Sequence, residues 1–254
     1  MLDRDGAIAT VTLNNPDRLN ALHEAMWREL RDTMRELGRD ESLRCVVLRG
    51  AGEKAFAAGA DISEFATARA NAAQAKDYGN LVHEAMQAVA RCTHPTVAMI
   101  RGACIGGGLE IAAMCDLRIC GASSRFGVPI NRLGLTMGYG ELQGVLDLVG
   151  RAVTLEILLE GRILDAQEAF RKGLVNRVVA DAEVEREARA LAGRIAAGAP
   201  LVARWHKQFV ERLTPRVDLA PEEWDEGFAC FDTADYREGV DAFLAKRKAE
   251  FSGR

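Results

Sequence analysis

Apolar and polar positions alternate along the chain with two different periods, and the periods predict the order of strands and helices. An apolar segment at 6–13 predicts a strand, and a polar break follows it. Helical spacing then links five apolar residues: Leu22, Met26, Leu30, Met34 and Leu37. Buried strands are predicted at 44–50 and 95–102, each ending near a glycine, with a helix at 70–91 between them. The pattern therefore predicts a repeated unit of strand, small-residue loop and helix.

This order is typical of an α/β layered fold, in which the ligand site lies at the loops that follow the strands. From about residue 141 the pattern becomes mainly helical, and a charged and apolar segment at 182–197 predicts a further long helix. No low-complexity linker separates the two parts. We therefore expect the C-terminal part to pack on the first part or on a neighbouring subunit.

Composition narrows the classes of function. The 254 residues are 48% apolar and 28% charged with a net charge of -4, which is typical of a globular protein and unsuited to binding nucleic acid or anionic lipid. The six cysteines form no CxxC pair, so we expect reduced thiols and a cytoplasmic location. We expect no membrane span and no metal site, because no apolar run is long enough and the four histidines form no ligand cluster.

Two stretches rich in small residues carry the candidate chemistry: "KAFAAGADISEF" at 54–65 and "RGACIGGGLEIAAMCD" at 101–116. Glycine and alanine let a ligand approach the main chain, and a helix that begins at the glycines would leave the Gly107 N–H free to bind negative charge. Glu110 follows one turn later, beside that donor. The alternative is that Gly106 to Gly108 only allow close helix packing.

Together with "NNPDRLNAL" at 14–22, "FGVP" at 126–129 and "TADYREGVDAFLAKRKAEF" at 233–251, these stretches resemble the crotonase superfamily, the enoyl-CoA hydratase/isomerase family. The resemblance implies an α/β, crotonase-like spiral of ββα units with a C-terminal α-helical trimerisation region. Residues 1–195 would form the acyl-CoA-binding core and 196–254 the oligomerisation region, in a trimer or a dimer of trimers.

The resemblance also implies a substrate held as an acyl-CoA thioester, with no cofactor because coenzyme A is part of the substrate. The N–H groups of Ala60 and Gly107 would form the oxyanion hole that stabilises an enolate, and Glu110 would act as acid or base. The residues expected to bind the substrate are Arg18, Leu19, Ala58, Ala60, Asp61, Ile62, Gly106, Gly107, Ile130 and Lys246.

The chain departs from the family pattern at the second catalytic acid. Hydratases of the family carry a second glutamate where this chain has Ile130, and the aspartate of the dienoyl isomerases is replaced by Gly138. Asn131 would point to the other face of an extended segment. Tyr139 is a possible proton donor, and Glu141 is expected to cap the helix that follows.

These observations leave several functions open. The two stretches favour a hydratase, whereas a single acid favours an isomerase, a decarboxylase or another one-acid reaction. An acyl-CoA-binding protein without catalysis is a third hypothesis, and an RNA-binding protein is a fourth that the net charge opposes. Apolar residues of the C-terminal third predict a trimer-based interface: Leu219, Trp224, Phe228, Phe231, Phe243 and Leu244.

Overall fold

The computed structural model describes residues 1–214 and 220–253. Leu219, one of the residues predicted at an oligomer interface, lies outside the described residues. The strands are β1 (Leu2–Asp5), β2 (Ile8–Leu13), β3 (Cys45–Gly50), β4 (Ala55–Ala58), β5 (Thr96–Ile100), β6 (Ala103–Ile105), β7 (Leu117–Gly121), β8 (Arg125–Gly127), β9 (Leu164–Asp165) and β10 (Arg177–Val179).

The helices of the described residues are α1 (Glu24–Leu37), α2 (Phe65–Ala68), α3 (Ala72–Ala90), α4 (Gly107–Met114), α5 (Tyr139–Glu160), α6 (Ala166–Arg171), α7 (Val184–Ala197), α8 (Pro200–Leu213), α9 (Pro221–Glu226) and α10 (Ala234–Leu244). Short 3-10 turns lie at Pro16–Arg18, Ile62–Glu64, Ile130–Leu133, Asp181–Glu183 and Ala229–Asp232. The helices predicted at 70–91 and 182–197 are confirmed as α3 and α7.

The strands form two sheets. The larger has the order β1-β2-β3-β5-β7-β10 and is parallel except for the β1/β2 pair, and the smaller has the order β4-β6-β8-β9. Each of the pairs β3–β4, β5–β6 and β7–β8 therefore places one strand in each sheet. The loops predicted after β3 and β5 contain the short strands β4 and β6, so the unit is ββα, as the family resemblance implies.

Apolar periodicity determines how α1 packs. Four of the five residues predicted on its apolar side lie in the helix and are buried, the fifth, Leu22, is buried just before it, and Trp27 has only 1% of its surface exposed. The helix begins after His23, whose Nδ1 accepts a hydrogen bond from the Met26 N–H at 3.3 Å. α1 packs against α3, and together they cover one side of the larger sheet. α7 covers a second cluster that includes Val47, Val97 and Met99.

Glycines allow α4 to begin directly against the smaller sheet. Gly106 has φ of +50°, which L side chains rarely adopt, and the helix starts at the next residue. A Cβ at Gly108 would overlap the main-chain carbonyl oxygen of Ala57 in β4. The expectation that these glycines allow close packing is therefore correct for Gly108, and it coexists with the start of a helix at Gly107.

The C-terminal part folds back over the loops at the edge of the smaller sheet. α10 packs against the 3-10 turn Ile130–Leu133, and the Phe228 ring lies so close to Gly79 of α3 that a Cβ there would overlap it. This packing closes a cavity between α3, α4, the start of α5 and the C-terminal residues. Among the described residues, no helix is long and apolar enough to cross a membrane.

Candidate active site

The cavity has a volume of about 350 Å³ and is lined mainly by apolar side chains. Seven of the predicted site residues line it: Ala58, Ala60, Ile62, Gly106, Gly107, Glu110 and Ile130. Its other polar walls include two arginines, Arg69 and Arg132, and a second acid, Glu141. The structure thus brings the two small-residue stretches together around one space.

Two main-chain donors at the cavity are unused. The neighbouring amides are occupied, since the Asp61 N–H donates to the Leu22 carbonyl at 2.9 Å and the Gly106 N–H donates to the Gly127 carbonyl at 2.9 Å. No hydrogen bond among the described residues uses the N–H of Ala60 or Gly107. A pair of free N–H groups, one of them at a helix start, suits an oxygen atom that acquires negative charge.

The Gly107 position also excludes a larger residue. A Cβ there would lie 3.1 Å from the Trp27 ring and 3.2 Å from Leu22, so the buried face of α1 forms the floor beneath the donor. Glycine at 107 therefore lets the main chain pack closely against Trp27 and Leu22, and it also exposes the N–H.

Glu110 lies in the first turn of α4, where its N–H donates to the Gly106 carbonyl at 3.0 Å. Burial and, to a smaller extent, the negative charge of Glu141 raise the pKa of its carboxyl, the positive charge of Arg69 lowers it, and the result is a pKa of about 8. Glu110 therefore keeps its proton at neutral pH and can donate it to a bound ligand.

Glu141, which the sequence analysis assigned only to a helix cap, is the second acid of the cavity. It lies in the first turn of α5, and its carboxyl lies over Gly138, but the start of this helix has no side-chain cap hydrogen bond. The carboxyl lines the cavity, and burial raises its pKa. A signal was present in the sequence, because Glu110 and Glu141 each lie three residues after a glycine at a helix start.

The two carboxyls form one coupled pair. Both are buried at the same cavity, and the charge of Glu141 is one cause of the raised pKa of Glu110. Two carboxylates in a shared low-dielectric space resist ionising together, so the charge of one raises the pKa of the other. Such a pair presents one acid and one base to the same ligand.

Arg69 is a third ionisable residue that the sequence analysis did not identify. It follows α2, and its guanidinium carbon lies 3.8 Å from the Tyr78 ring centroid and 4.6 Å from that of Phe65. Its positive charge lowers the pKa of both glutamates, yet no carboxylate of the described residues pairs with it.

Ile130 lies in a 3-10 turn at the cavity wall and presents an apolar surface there, as expected. The segment is not extended, so the argument that placed Asn131 on the opposite face was wrong in its premise. The Asn131 amide donates to the Leu159 carbonyl at 3.0 Å and lies outside the cavity lining.

The other residues predicted for the site do not line the cavity. Arg18 forms an ion pair with Asp61 at 2.7 Å, and the Asp61 carboxylate also accepts from the Ser63 N–H at 3.0 Å, so it organises the loop. Leu19 and Lys246 are exposed and have positive φ. Tyr139 does not line the cavity, because its ring packs edge-on against Trp224 with centroids 5.9 Å apart.

Three of the aromatic residues predicted at an oligomer interface line the cavity of their own chain: Phe228, Phe231 and Phe243. Trp224 packs on His83 with ring centroids 5.2 Å apart. Within residues 1–214 and 220–253, no group of three or more His, Cys, Asp or Glu side chains is arranged to hold a metal ion.

Comparison with known proteins gives consistent matches over the whole chain. The family model described as enoyl-CoA hydratase/isomerase matches residues 3–254. A short-chain-enoyl-CoA hydratase of Clostridium acetobutylicum is 36% identical over 252 residues, which cover 98% of this chain and 96% of the relative.

Solved structures agree with the sequence matches. A crystal structure of an enoyl-CoA hydratase/carnithine racemase from Magnetospirillum magneticum is 52% identical, with a TM-score of 0.83, and the match covers 100% of this chain and 95% of that one. A methylmalonyl-CoA decarboxylase in complex with 2-nitronate-propionyl-CoA is 26% identical, with a TM-score of 0.90, and the match covers 100% and 98%.

Proposed function

Because this chain belongs to the enoyl-CoA hydratase/isomerase family and acts on acyl-CoA thioesters, we propose that its reaction is the reversible hydration of a 2-enoyl-CoA. The observation that carries the proposal is the pair of buried carboxyls, Glu110 and Glu141, at one cavity beside two free main-chain donors. Hydration requires a base for water and an acid for carbon, and the pair offers both.

In this proposal the thioester carbonyl oxygen accepts hydrogen bonds from the N–H groups of Ala60 and Gly107. Charge reaches that oxygen when the enolate forms, so the donors stabilise the transition state more than the ground state. A well-placed donor of this kind contributes about 3–4 kcal/mol to catalysis.

The two acids divide the proton transfers. Glu141, ionised, accepts a proton from water while the water oxygen forms a bond to C3 and the C2=C3 electrons move toward the thioester oxygen. The enolate then takes a proton at C2 from Glu110, whose raised pKa keeps it protonated at neutral pH. The net change is the addition of one water, and proton exchange with solvent restores the pair.

Glu141 removes the reason to expect slow hydration. The sequence argument favoured a single-acid reaction because Ile130 stands where hydratases carry their second glutamate. An acid from the start of α5 can serve that role from another wall of the cavity, while Ile130 keeps its own wall apolar. Double-bond isomerisation remains the second candidate, since Glu110 next to an apolar wall can move a proton between two carbons without water.

Turnover measurements with three substrates test the proposal: crotonyl-CoA hydration, 3-enoyl-CoA to 2-enoyl-CoA conversion, and methylmalonyl-CoA decarboxylation. We expect hydration to have the highest kcat/KM. Glu110→Gln and Glu141→Gln should each lower it by about 10²–10⁴-fold, while calorimetry finds nearly unchanged affinity for butyryl-CoA.

The matched control is Glu84→Gln, since the Glu84 carboxylate pairs with Arg31 at 3.2 Å on the outer side of α3. This variant should hydrate like the wild type. A Glu141→Gln enzyme with wild-type activity would remove Glu141 from the mechanism, and faster isomerisation than hydration by the wild type would favour the second candidate.

For coenzyme A itself, we propose that the adenine lies near Arg18 and Leu19 and that Lys246 reaches the phosphates. The support is that the Ala58 N–H donates to the Leu19 carbonyl at 3.0 Å, which attaches this turn to the oxyanion loop. Equal calorimetric affinity for CoA esters and for the free acids would contradict this assignment.

We also propose a trimer-based homo-oligomer, supported by α8 and by two of the residues first assigned to the interface, Phe243 and Leu244, which are exposed at the end of α10. None of the residues of α8 is buried in the isolated chain. Its large apolar side chains are exposed: Leu201, Val202, Trp205, Phe209, Val210 and Leu213. A helix with so much exposed apolar surface is typical of a subunit interface.

The proposed chemistry uses no cofactor besides the coenzyme A that the substrate carries. A cytoplasmic location remains our proposal. It is supported by the cysteines, which are all free thiols, five of them buried.

A further inference from the structure

Arg69 is held in a fixed position at the wall of the cavity. Its N–H donates to the Phe65 carbonyl at 3.0 Å, and its own carbonyl accepts from the Tyr236 hydroxyl at 2.8 Å. The guanidinium stacks over the Tyr78 ring at 3.8 Å and over the Phe65 ring at 4.6 Å. Main chain and side chain are therefore both anchored, and the guanidinium is held beside Tyr78.

Within the described residues, the guanidinium has Tyr78 as a neighbour but no carboxylate partner. The Nε–H is buried without a hydrogen-bond acceptor. No carboxylate oxygen of the described residues lies within 4.0 Å of a guanidinium nitrogen of Arg69. The Nε atoms of Arg101, Arg118 and Arg204 are buried in the same way, so what indicates a ligand is the position of Arg69 at the cavity wall and the lack of an ion pair there. The other arginine of the wall, Arg132, is exposed and donates to the Gly161 carbonyl at 3.1 Å.

The surroundings of Arg69 identify the space that such a ligand would occupy. Glu110 and Glu141 line the same cavity but form no ion pair with the guanidinium. An arginine that served only to neutralise the glutamates would be expected to contact one of them. The other nearby walls are apolar side chains of α3 and the C-terminal part, such as Val82 and Phe228.

We propose that Arg69 binds a carboxylate on the acyl group, so that the preferred substrate is a 2-enoyl-CoA with a second carboxylate at the far end of its acyl chain. This inference rests on the proposed function for the reaction, and it adds the substrate class. A planar guanidinium with two adjacent N–H donors matches a carboxylate in a bidentate arrangement, and a stacked one loses little freedom when it binds. A purely alkyl tail would leave the guanidinium at the cavity wall without an ion-pair partner.

Matched substrate pairs test the substrate class. We would compare the CoA monothioester of pent-2-enedioic acid with pent-2-enoyl-CoA, and the corresponding pair from hex-2-enedioic and hex-2-enoic acid. The readout is the ratio of kcat/KM within each pair, because a general effect of Arg69 on the two glutamates cancels in that ratio. For the wild type we expect a ratio of about 10 or more in favour of the carboxylate for at least one pair.

Arg69→Met should lower that ratio by about 10–100-fold, as expected for losing a charged hydrogen-bonded partner. Arg69→Lys keeps the charge but loses the planar fork, so its ratio should lie between those of the wild type and Arg69→Met. If Arg69→Met does not fold, the ratio of Arg69→Lys serves as the test. Arg132→Met is the matched control and should leave the ratio within about threefold of the wild type. A ratio that follows Arg132 instead, or that stays unchanged while both rates fall in Arg69→Met, would overturn the proposal.

Binding of saturated analogues separates this inference from the proposed reaction. Calorimetry with pentanedioyl-CoA and pentanoyl-CoA requires no turnover. A preference for the first that Arg69→Met abolishes would support the carboxylate site even if the enzyme hydrated neither substrate, in which case only the proposed reaction would fail. Hydration without any preference for a carboxylate, in turnover and in binding, would refute the carboxylate site alone.

Discussion

Replacing Glu110 with glutamine should stabilise the protein at alkaline pH while removing its activity. The carboxyl is buried in the folded chain, and burial together with the charges of Glu141 and Arg69 moves its pKa from 4.5 to about 8. In the unfolded chain the same group titrates near its ordinary value. Between these two values the unfolded state releases a proton that the folded state retains, so the free energy of unfolding falls as pH rises.

The size of the effect follows from that difference in pKa. A tenfold change in proton affinity corresponds to about 1.4 kcal/mol, so Glu110 lowers the stability by about 5 kcal/mol between its unfolded and folded pKa values. The stabilising contribution of its neutral form is fully present below about pH 4.5 and is lost as pH rises toward about 8. Relaxation and water penetration reduce such costs in real proteins, and about 2 kcal/mol is the smallest difference we would accept.

Urea unfolding of wild type and Glu110→Gln at about pH 5 and about pH 8 measures this difference, at one protein concentration because the chain is proposed to assemble. The free energy of unfolding of the variant minus that of the wild type should increase by at least about 2 kcal/mol from the lower to the higher pH. Glu29→Gln, on the exposed face of α1, is the control for the chemical change and should run parallel to the wild type. If Glu110→Gln and the wild type showed the same change in the free energy of unfolding with pH, a raised pKa of the Glu110 carboxyl would be refuted.

Three further predictions follow from other parts of the structure. In Glu141→Gln, loss of the neighbouring negative charge should lower the pKa of Glu110. The pH at which the residual hydration rate falls on the alkaline side should therefore decrease. An unchanged pH would argue against an interaction between the two carboxyls. Trp205→Glu should weaken self-association measured by light scattering, because it places a charge on the exposed apolar face of α8, and an unchanged mass would exclude that face from the interface. Gly108→Ala should lower the free energy of unfolding by about 1–3 kcal/mol, since its Cβ would overlap a main-chain carbonyl oxygen. Gly193→Ala in α7, where a Cβ meets nothing within 4 Å, should instead be neutral or stabilising by up to about 1 kcal/mol, and equal losses in both variants would refute the packing argument.

The sequence alone determined those features that arise within a few turns of the chain. The period of Met26, Leu30 and Met34 placed α1 and its buried side, because a helix brings every third or fourth residue to one face. The glycines before Glu110 predicted a helix start with a free N–H, because the required backbone conformation and the exposed donors are local properties. The two small-residue stretches also identified the family.

Only the tertiary structure decided which acids and cations share the cavity. The sequence predicts Glu141 only as a helix cap, whereas its place at the cavity of Glu110 depends on how α5 packs against α4. Tyr139, two residues earlier, points to Trp224 for the same reason. Arg69 is brought to the cavity by the short α2 and by its stacking on Tyr78. Such contacts join residues far apart in the sequence, and no local pattern of polarity or glycine spacing records the packing that creates them.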